Sequence, residues 1–280
     1  MLYSLLAKEE LVPNIHLIKV MAPAVAKKAK PGQFVIVTVD EKGERIPLTI
    51  ADWDEEEGSI TIVFMEVGTT TQRMAQLKAG DSLFSLVGPL GAPTHIEKYG
   101  TVVCVGGCYG MAAMMPIARA MKEAGNKVIS VIEARSRYLI FWEEELKRVS
   151  DQLIVTIGDG SHAPERWVPD QVKHIVDAGD TIDLVVAFGC TYMMKLTSET
   201  TKPLGIKTIV HLSSIMVDGT GMCGCCRVSI GGETKFACVD GPEFDGHQVD
   251  WDVLLARQKS YQDEEIRSLQ AWENRRWSKA

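Results

Sequence analysis

Four of the chain's seven cysteines fall within residues 217–242, VDGTGMCGCCRVSIGGETKFACVDGP. With Cys225 set aside, the pattern is Cys223-x2-Cys226-x11-Cys238, and Asp218 stands five residues before Cys223. Gly219, Gly221, Gly224, Gly231 and Gly232 give the stretch the freedom to aim several sulfurs inward with backbone N–H groups turned toward anionic sulfide. The plant-type iron–sulfur spacing, C-x4-C-x2-C with a distant fourth cysteine, is met at every position but the first, where Asp218 replaces a thiol. These residues predict a [2Fe-2S] cluster held by Asp218, Cys223, Cys226 and Cys238. Two alternatives use the same stretch. One is a zinc site, although two matched C-x2-C knuckles are commoner there. In the other, Asp218 is only an Asp-Gly turn residue and Cys225 or solvent is the fourth ligand. Adjacent Cys225 and Cys226 cannot easily both point at one cluster, which favours Asp218.

The elements that position this loop are read from the hydrophobic pattern upstream. From Tyr3 to about Leu90 the runs IHLIKV, FVIVTV, RIPLTIA, SITIVFMEV and DSLFSLV are separated by PGQ, DEKGE, DEEEG and KAGD turns. Strands at that spacing predict a small antiparallel β barrel over residues 1–97. Near Tyr99 the pattern changes to the continuous apolar runs TVVCVGG, KVISVIEA, LIVTI, DLVVAFG and KTIVHL. Helical stretches over about Met111 to Glu123, Val168 to Ala178 and Tyr192 to Thr201 lie between them. Buried parallel strands with crossover helices read this way, so a doubly wound α/β nucleotide-binding-like domain is predicted over 98–212. The cysteine loop follows as a Gly-rich, helix-poor knob over 213–250, and 251–280 reads as a charged helical tail. Trp251, Trp272 and Trp277 of the tail are read as exposed, on a solvated helix or against a partner subunit.

Composition narrows the class further. A chain of 280 residues, 46% apolar and with net charge −7, can bury more than one core. An odd number of clustered cysteines suits thiols that hold metal in a reducing compartment rather than a disulfide framework. No basic stripe with interleaved aromatics marks a nucleic-acid surface. No apolar run reaches the ~20 residues that cross a bilayer, and MLYSLLAKEELVPN meets acidic residues too early for a signal peptide. No membrane insertion and a cytoplasmic location are therefore expected.

The order of barrel, nucleotide domain and C-terminal [2Fe-2S] segment, with the stretches IMVDGTGMCGCCRV and KFACVDGPEFDGH, resembles the electron-transfer subunit of dihydroorotate dehydrogenase. More closely it resembles the small subunit of NADH-dependent reduced ferredoxin:NADP oxidoreductase and of archaeal-type sulfide dehydrogenase, in the ferredoxin-reductase-like superfamily. The resemblance covers nearly the whole chain and includes the aspartate at the first cluster position. It implies FAD in the cleft between the first two domains, bound by ERIPLTIAD. Arg45 would meet the flavin phosphates or the isoalloxazine edge, and Pro47, Leu48 and Thr49 would line the flavin. Gly68, Thr70 and Thr71 of EVGTTTQRM would reach the pyrophosphate, an anion site of the kind a barrel-strand end and a helix N-terminus make.

CVGGCYGMAAMMPIARA reads as strand, glycine loop and helix, with Gly106, Gly107 and Gly110 letting the backbone approach the pyrophosphate of NAD(P)H. Arg135 and Ser136 of EARSR stand where a ribose or its 2′-phosphate is read. The sequence departs from the family pattern at Cys108 and Tyr109, at AFGCTYMMK, where a proline commonly follows Gly189, and in TIGDGSHAPERWV before Gly160. All three departures lie on the nucleotide's docking edge, and a bulkier loop there narrows or closes that site. Cys104, Cys190 and the methionines Met111, Met114, Met115 and Met121 are read as packing, and His162 and His211 receive no role. No Ser/His/Asp set, paired carboxylates or H-E-x-x-H motif offers hydrolytic chemistry, so no catalytic side chain is assigned.

The expected function is an electron-transfer flavoprotein subunit linking NAD(P)H, FAD and a [2Fe-2S] cluster to a larger, glutamate-synthase-like flavin and iron–sulfur subunit, with ferredoxin reached through the complex. A second expectation is an FAD and [2Fe-2S] conduit that has lost nucleotide binding. A third is a zinc-stabilised binding module.

Overall fold

A computed structural model of the protein describes residues 3–158 and 168–277. The first seven strands are β1 (Tyr3–Val12), β2 (Ile15–Met21), β3 (Phe34–Thr38), β4 (Arg45–Asp54), β5 (Ser59–Met65), β6 (Ser82–Leu83) and β7 (Ser85–Leu90). They form one antiparallel sheet in the order β6-β1-β2-β5-β4-β3-β7, curled into a nearly closed barrel. β-Branched and aromatic residues dominate β3 and β5, and Ile18, Val35, Val37, Ile60 and Ile62 belong to the buried barrel core. Two short helices sit at its ends, α1 (Pro23–Ala26) and α2 (Thr69–Met74).

The second sheet is built from β8 (Thr101–Gly107), β9 (Lys127–Ala134), β10 (Gln152–Ile157), β11 (Leu184–Phe188) and β12 (Thr208–His211), all parallel. Their order, β10-β9-β8-β11-β12, reverses direction between β8 and β11, the switch point outside whose strand ends doubly wound sheets bind ligands. The helices are α3 (Gly110–Glu123), α4 (Glu143–Arg148), α5 (Val168–Asp177) and α6 (Thr191–Thr201). On α3, Met111, Met114 and Met121 recur at helical spacing and are fully buried against β8.

The cysteine segment is tied into this body. It contains the hairpin β13 (Arg227–Ile230) and β14 (Glu233–Phe236), and β15 (Glu243–Asp245) adds to β12 as an antiparallel edge of the six-stranded sheet. Cys226, Val228 and Cys238 share a hydrophobic cluster with Phe34 and Ile36 of β3 and with Val210 and Leu212. The knob expected from the glycine-rich composition is thus packed on both the barrel and the α/β sheet. Beyond it lie α7 (Trp251–Gln258) and α8 (Gln262–Trp277).

The tail corrects one expectation. Trp251 is buried, and its indole N–H donates to the Gly246 carbonyl at 3.2 Å. Trp272 packs on the barrel, with the Arg73 guanidinium 5.9 Å from its ring, and Ser268 meets Thr69 at 2.9 Å. The helix is therefore docked on α2 of its own chain. The Trp277 side chain lies outside the described residues.

Candidate functional site

The four expected cluster ligands lie in two close pairs. Asp218 Oδ1 is 3.1 Å from Cys223 Sγ, and Cys226 Sγ is 3.2 Å from Cys238 Sγ. Gly219, Gly221 and Gly224 all have positive φ, which lets the loop double back over so few residues. The second Asp218 oxygen accepts from the backbone N–H groups of Met222 at 3.0 Å and Cys223 at 3.3 Å and from the Thr220 hydroxyl at 3.0 Å. Hydrogen bonds from the Cys223 thiol and from Thr220 hold the Asp218 carboxyl well below the usual carboxylate range. At the other pair, Cys226 and Cys238 are each 1% exposed. Burial, aided by Cys226, pushes the Cys238 thiol up to about 12, while the Gly221 N–H bonded to it pulls the other way.

The donor set fits a two-iron centre. Among the described residues no three His, Cys, Asp or Glu side chains converge on a single metal position. A tetrahedral zinc needs four donors at one point, whereas one donor pair per iron is what the Asp218–Cys223 and Cys226–Cys238 pairs supply. Cys225 is half-buried, and its thiol is raised first by a hydrogen bond with Cys223, so it stands at the exposed pair rather than the buried one.

Next to this loop lies a cleft of about 560 Å³ between the barrel and the α/β sheet. Pro47, Leu48 and Thr49 of β4 form its barrel wall, with Met65 and Val67 beyond them. Ala112 and Ala113 of α3, small enough to leave room, form the opposite wall. A large apolar cleft with a few convergent polar groups is the usual form of a cofactor site. Thr71 also lines it, but its hydroxyl caps its own helix, accepting from the Val67 and Gly68 N–H groups at 2.9 and 3.1 Å. The Thr70 hydroxyl donates to Glu44 at 2.9 Å, and a Cβ added at Gly68 would meet nothing within 4 Å.

Arg45 is not among the residues lining the cleft. Its Nε donates to the Val217 carbonyl at 2.6 Å and its Nη2 to the Asp218 carbonyl at 3.4 Å, so it reaches the cysteine loop.

At the sheet's switch point the glycines divide. A Cβ at Gly110 would fall 2.4 Å from the Phe188 carbonyl oxygen, and one at Gly106 would fall 3.0 Å from Met111 Cα. Both are required by the close approach of α3 to the strands. Gly107 has only Met193 nearby, at 3.4 Å. Arg135 is exposed and Ser136 half-buried just past β9. Cys108 adopts a φ of 55°, and Tyr109 after it turns into the cleft, which Ser213 also lines, and burial pushes its phenol up. Residues 159–167, with His162 and Gly160, lie outside the described residues.

Two residues given no chemistry in the sequence line the cleft. Cys190, read as packing, is exposed there at the N-cap of α6, its sulfur accepting from the Met193 N–H at 3.4 Å. His211 is buried against Phe188, ring centroids 5.1 Å apart, with Nδ1 3.8 Å from Glu243 Oε1 and no hydrogen-bond partner. Its one sequence signal is a polar residue at the C-terminal end of a buried parallel strand. Cys104 is fully buried in β8, its thiol pushed up to about 12 by burial, as a packing residue should be.

A barrel joined to a doubly wound sheet, with a cleft between them, defines the ferredoxin-reductase-like class. Phthalate dioxygenase reductase shares that fold, with a TM-score of 0.61 at 15% identity over 82% of this chain and 86% of that one. Residues 213–250 match the iron–sulfur cluster binding domain of dihydroorotate dehydrogenase B. A dihydroorotate dehydrogenase B (NAD(+)) electron transfer subunit homolog from Thermotoga maritima is 44% identical, over 94% of this chain and 93% of the relative. An uncharacterised protein from the adh 3′ region of Clostridium beijerinckii is 47% identical over 94% of this chain and 92% of its own length. The structure of NADH-dependent reduced ferredoxin-NADP oxidoreductase contains a chain that superposes with a TM-score of 0.91 at 43% identity, covering 97% of this chain and 98% of that one. The chain belongs to the family of dihydroorotate dehydrogenase B electron transfer subunits and their homologues.

Proposed function

We propose that this chain passes electrons between NAD(P)H, an FAD in the cleft and a [2Fe-2S] cluster at the Asp218–Cys238 loop, to or from a larger partner subunit. The observation that supports it most is the pairing of Asp218 with Cys223 and of Cys226 with Cys238 beside a cleft of flavin size. A flavin takes electrons in pairs and releases them singly, and a [2Fe-2S] cluster carries one. The chain's own part is to hold the two groups close and dry. Pro47, Leu48 and Thr49 would face the flavin ring, and the cluster loop packs directly on β3, the neighbour of their strand. Gly68, Thr70 and Thr71 are assigned to the pyrophosphate on the family resemblance and the open space beside Gly68. The partner we infer is a glutamate-synthase-like flavin and iron–sulfur subunit, with ferredoxin reached through it. No helix among the described residues is long and apolar enough to cross a membrane.

Nicotinamide binding would use the loop of Gly106, Gly107 and Gly110, with Arg135 and Ser136 at the ribose. A second reading, a conduit without nucleotide binding, is favoured by one observation: the Tyr109 side chain projects into the cleft from that same loop. Stopped-flow mixing of FAD-loaded protein with NADH and with NADPH separates the two. Flavin bleaching by either nucleotide supports the first, and no bleaching by both leaves the conduit. If Tyr109 obstructs the nucleotide, Tyr109→Gly is expected to speed bleaching about tenfold, the effect of about 1.4 kcal/mol of obstruction. An unchanged rate would clear Tyr109 of that role.

A further inference from the structure

Arg45 begins the strand whose next residues, Ile46, Pro47 and Leu48, line the cleft, yet its guanidinium leaves the barrel to grip the cysteine loop. The two carbonyls it holds belong to Val217 and Asp218, residues 172 and 173 positions away. The same short piece of loop is pressed on the barrel next door. Gly219 has a φ of 77°, and a Cβ there would sit 2.8 Å from Ile36 Cγ1 and 2.7 Å from Leu90 Cδ1. Ile36 is in turn the ladder partner of Pro47. The far side of the loop is held separately, by Arg257 of α7 donating to the Cys225 carbonyl at 3.1 Å.

A planar fork that bonds two successive carbonyls fixes their peptide planes, which a flexible ammonium does not do. It also sets a permanent positive charge beside the residue that would hold the exposed iron. Reduction adds one negative charge to a cluster, and nearby charge and hydrogen bonding are among the factors that set its potential.

We propose that Arg45 is a positioning residue for the Asp218 end of the cluster loop, tying it to the flavin-side strand and raising the cluster's reduction potential by its charge. This rests on the cluster assignment above. It departs from the contact with the flavin phosphates or the isoalloxazine edge that the sequence resemblance implies for the same residue, so the two make opposite predictions.

The test compares anaerobically purified wild-type chain, Arg45→Gln and Arg45→Lys by flavin and iron content, EPR-monitored redox titration and the rate of iron release to a chelator. Arg45→Gln is expected to keep its flavin, to shift the cluster's reduction equilibrium about tenfold toward the oxidised form, 59 mV for one electron, and to release iron several-fold faster. Arg45→Lys is expected to restore the potential and to retain the faster release, because the charge returns without the fork. Loss of flavin with an unchanged cluster potential would assign Arg45 to the cofactor phosphates and overturn the inference. An unchanged potential and release rate in a protein that keeps both groups would overturn it too. If Arg45→Gln does not accumulate, Arg45→Lys decides on release rate alone, an unchanged rate counting against the tether. Wild-type chain without a cluster defeats the assignment beneath it and this inference together, an outcome separate from the others.

Discussion

Cys226→Ala is expected to abolish the cluster while leaving the flavin in place, with iron and acid-labile sulfide falling at least about tenfold per chain. Cys226 and Cys238 form the buried pair, their sulfurs 3.2 Å apart, in the hydrophobic cluster that joins the loop to β3 and the sheet. Both sulfurs are almost fully buried, so solvent has little access to replace a ligand there, and the loss of one thiolate would strip one iron of half its proposed protein donors. The fold itself should survive. Trading a sulfur for hydrogen in a packed core costs on the order of 1 kcal/mol, and Cys226 is not among the residues that line the cleft. Iron and sulfide assays set against flavin absorbance check this, with Cys225→Ala as the control expected to keep both groups. Full iron in Cys226→Ala would remove Cys226 from the ligand set.

The second large effect concerns the exposed pair. Asp218→Ala is expected to leave a cluster that forms but loses iron about tenfold faster, and Asp218→Cys to keep it with an altered EPR spectrum and potential. One oxygen of the carboxylate is held by the Met222 and Cys223 N–H groups and the Thr220 hydroxyl, while the other lies 3.1 Å from Cys223 Sγ. Exchanging a hard oxygen for a soft sulfur changes the electron density at one iron, hence its potential and lability. Cys225 is the rival, because its thiol interacts with the same Cys223. Identical spectra for wild type, Asp218→Ala and Asp218→Cys, with cluster loss in Cys225→Ala, would transfer the fourth position to Cys225.

How far the sequence announces these arrangements depends on the range of the interaction. The meeting of Asp218 with Cys223 and of Cys226 with Cys238 is legible because the four side chains lie within one stretch, where spacing and glycines determine which side chains can meet. The doubly wound sheet is legible too, since β8, β9 and β11 form around the largely apolar runs in TVVCVGG, KVISVIEA and DLVVAFG. The destination of Arg45 is not legible. Its partners are backbone carbonyls more than 170 positions away, which bear no side-chain signature. Trp251 and the knob were hidden for a related reason. A three-residue strand, β15, carries too little periodicity to show that the segment closes the α/β sheet, and a buried indole in a charged tail looks like an exposed one until its neighbours are known. Tyr109 and Cys190 stand out as departures from a family pattern, but that they share one cleft with His211 follows only from the order of the strands.

Iron, acid-labile sulfide, zinc and flavin counted together on anaerobically purified protein test the central claim most directly. The pairing of Asp218 with Cys223 and of Cys226 with Cys238 beside the cleft predicts two irons, two sulfides and one FAD per chain. Stoichiometric zinc without iron or sulfide, in protein that binds no flavin, would contradict it.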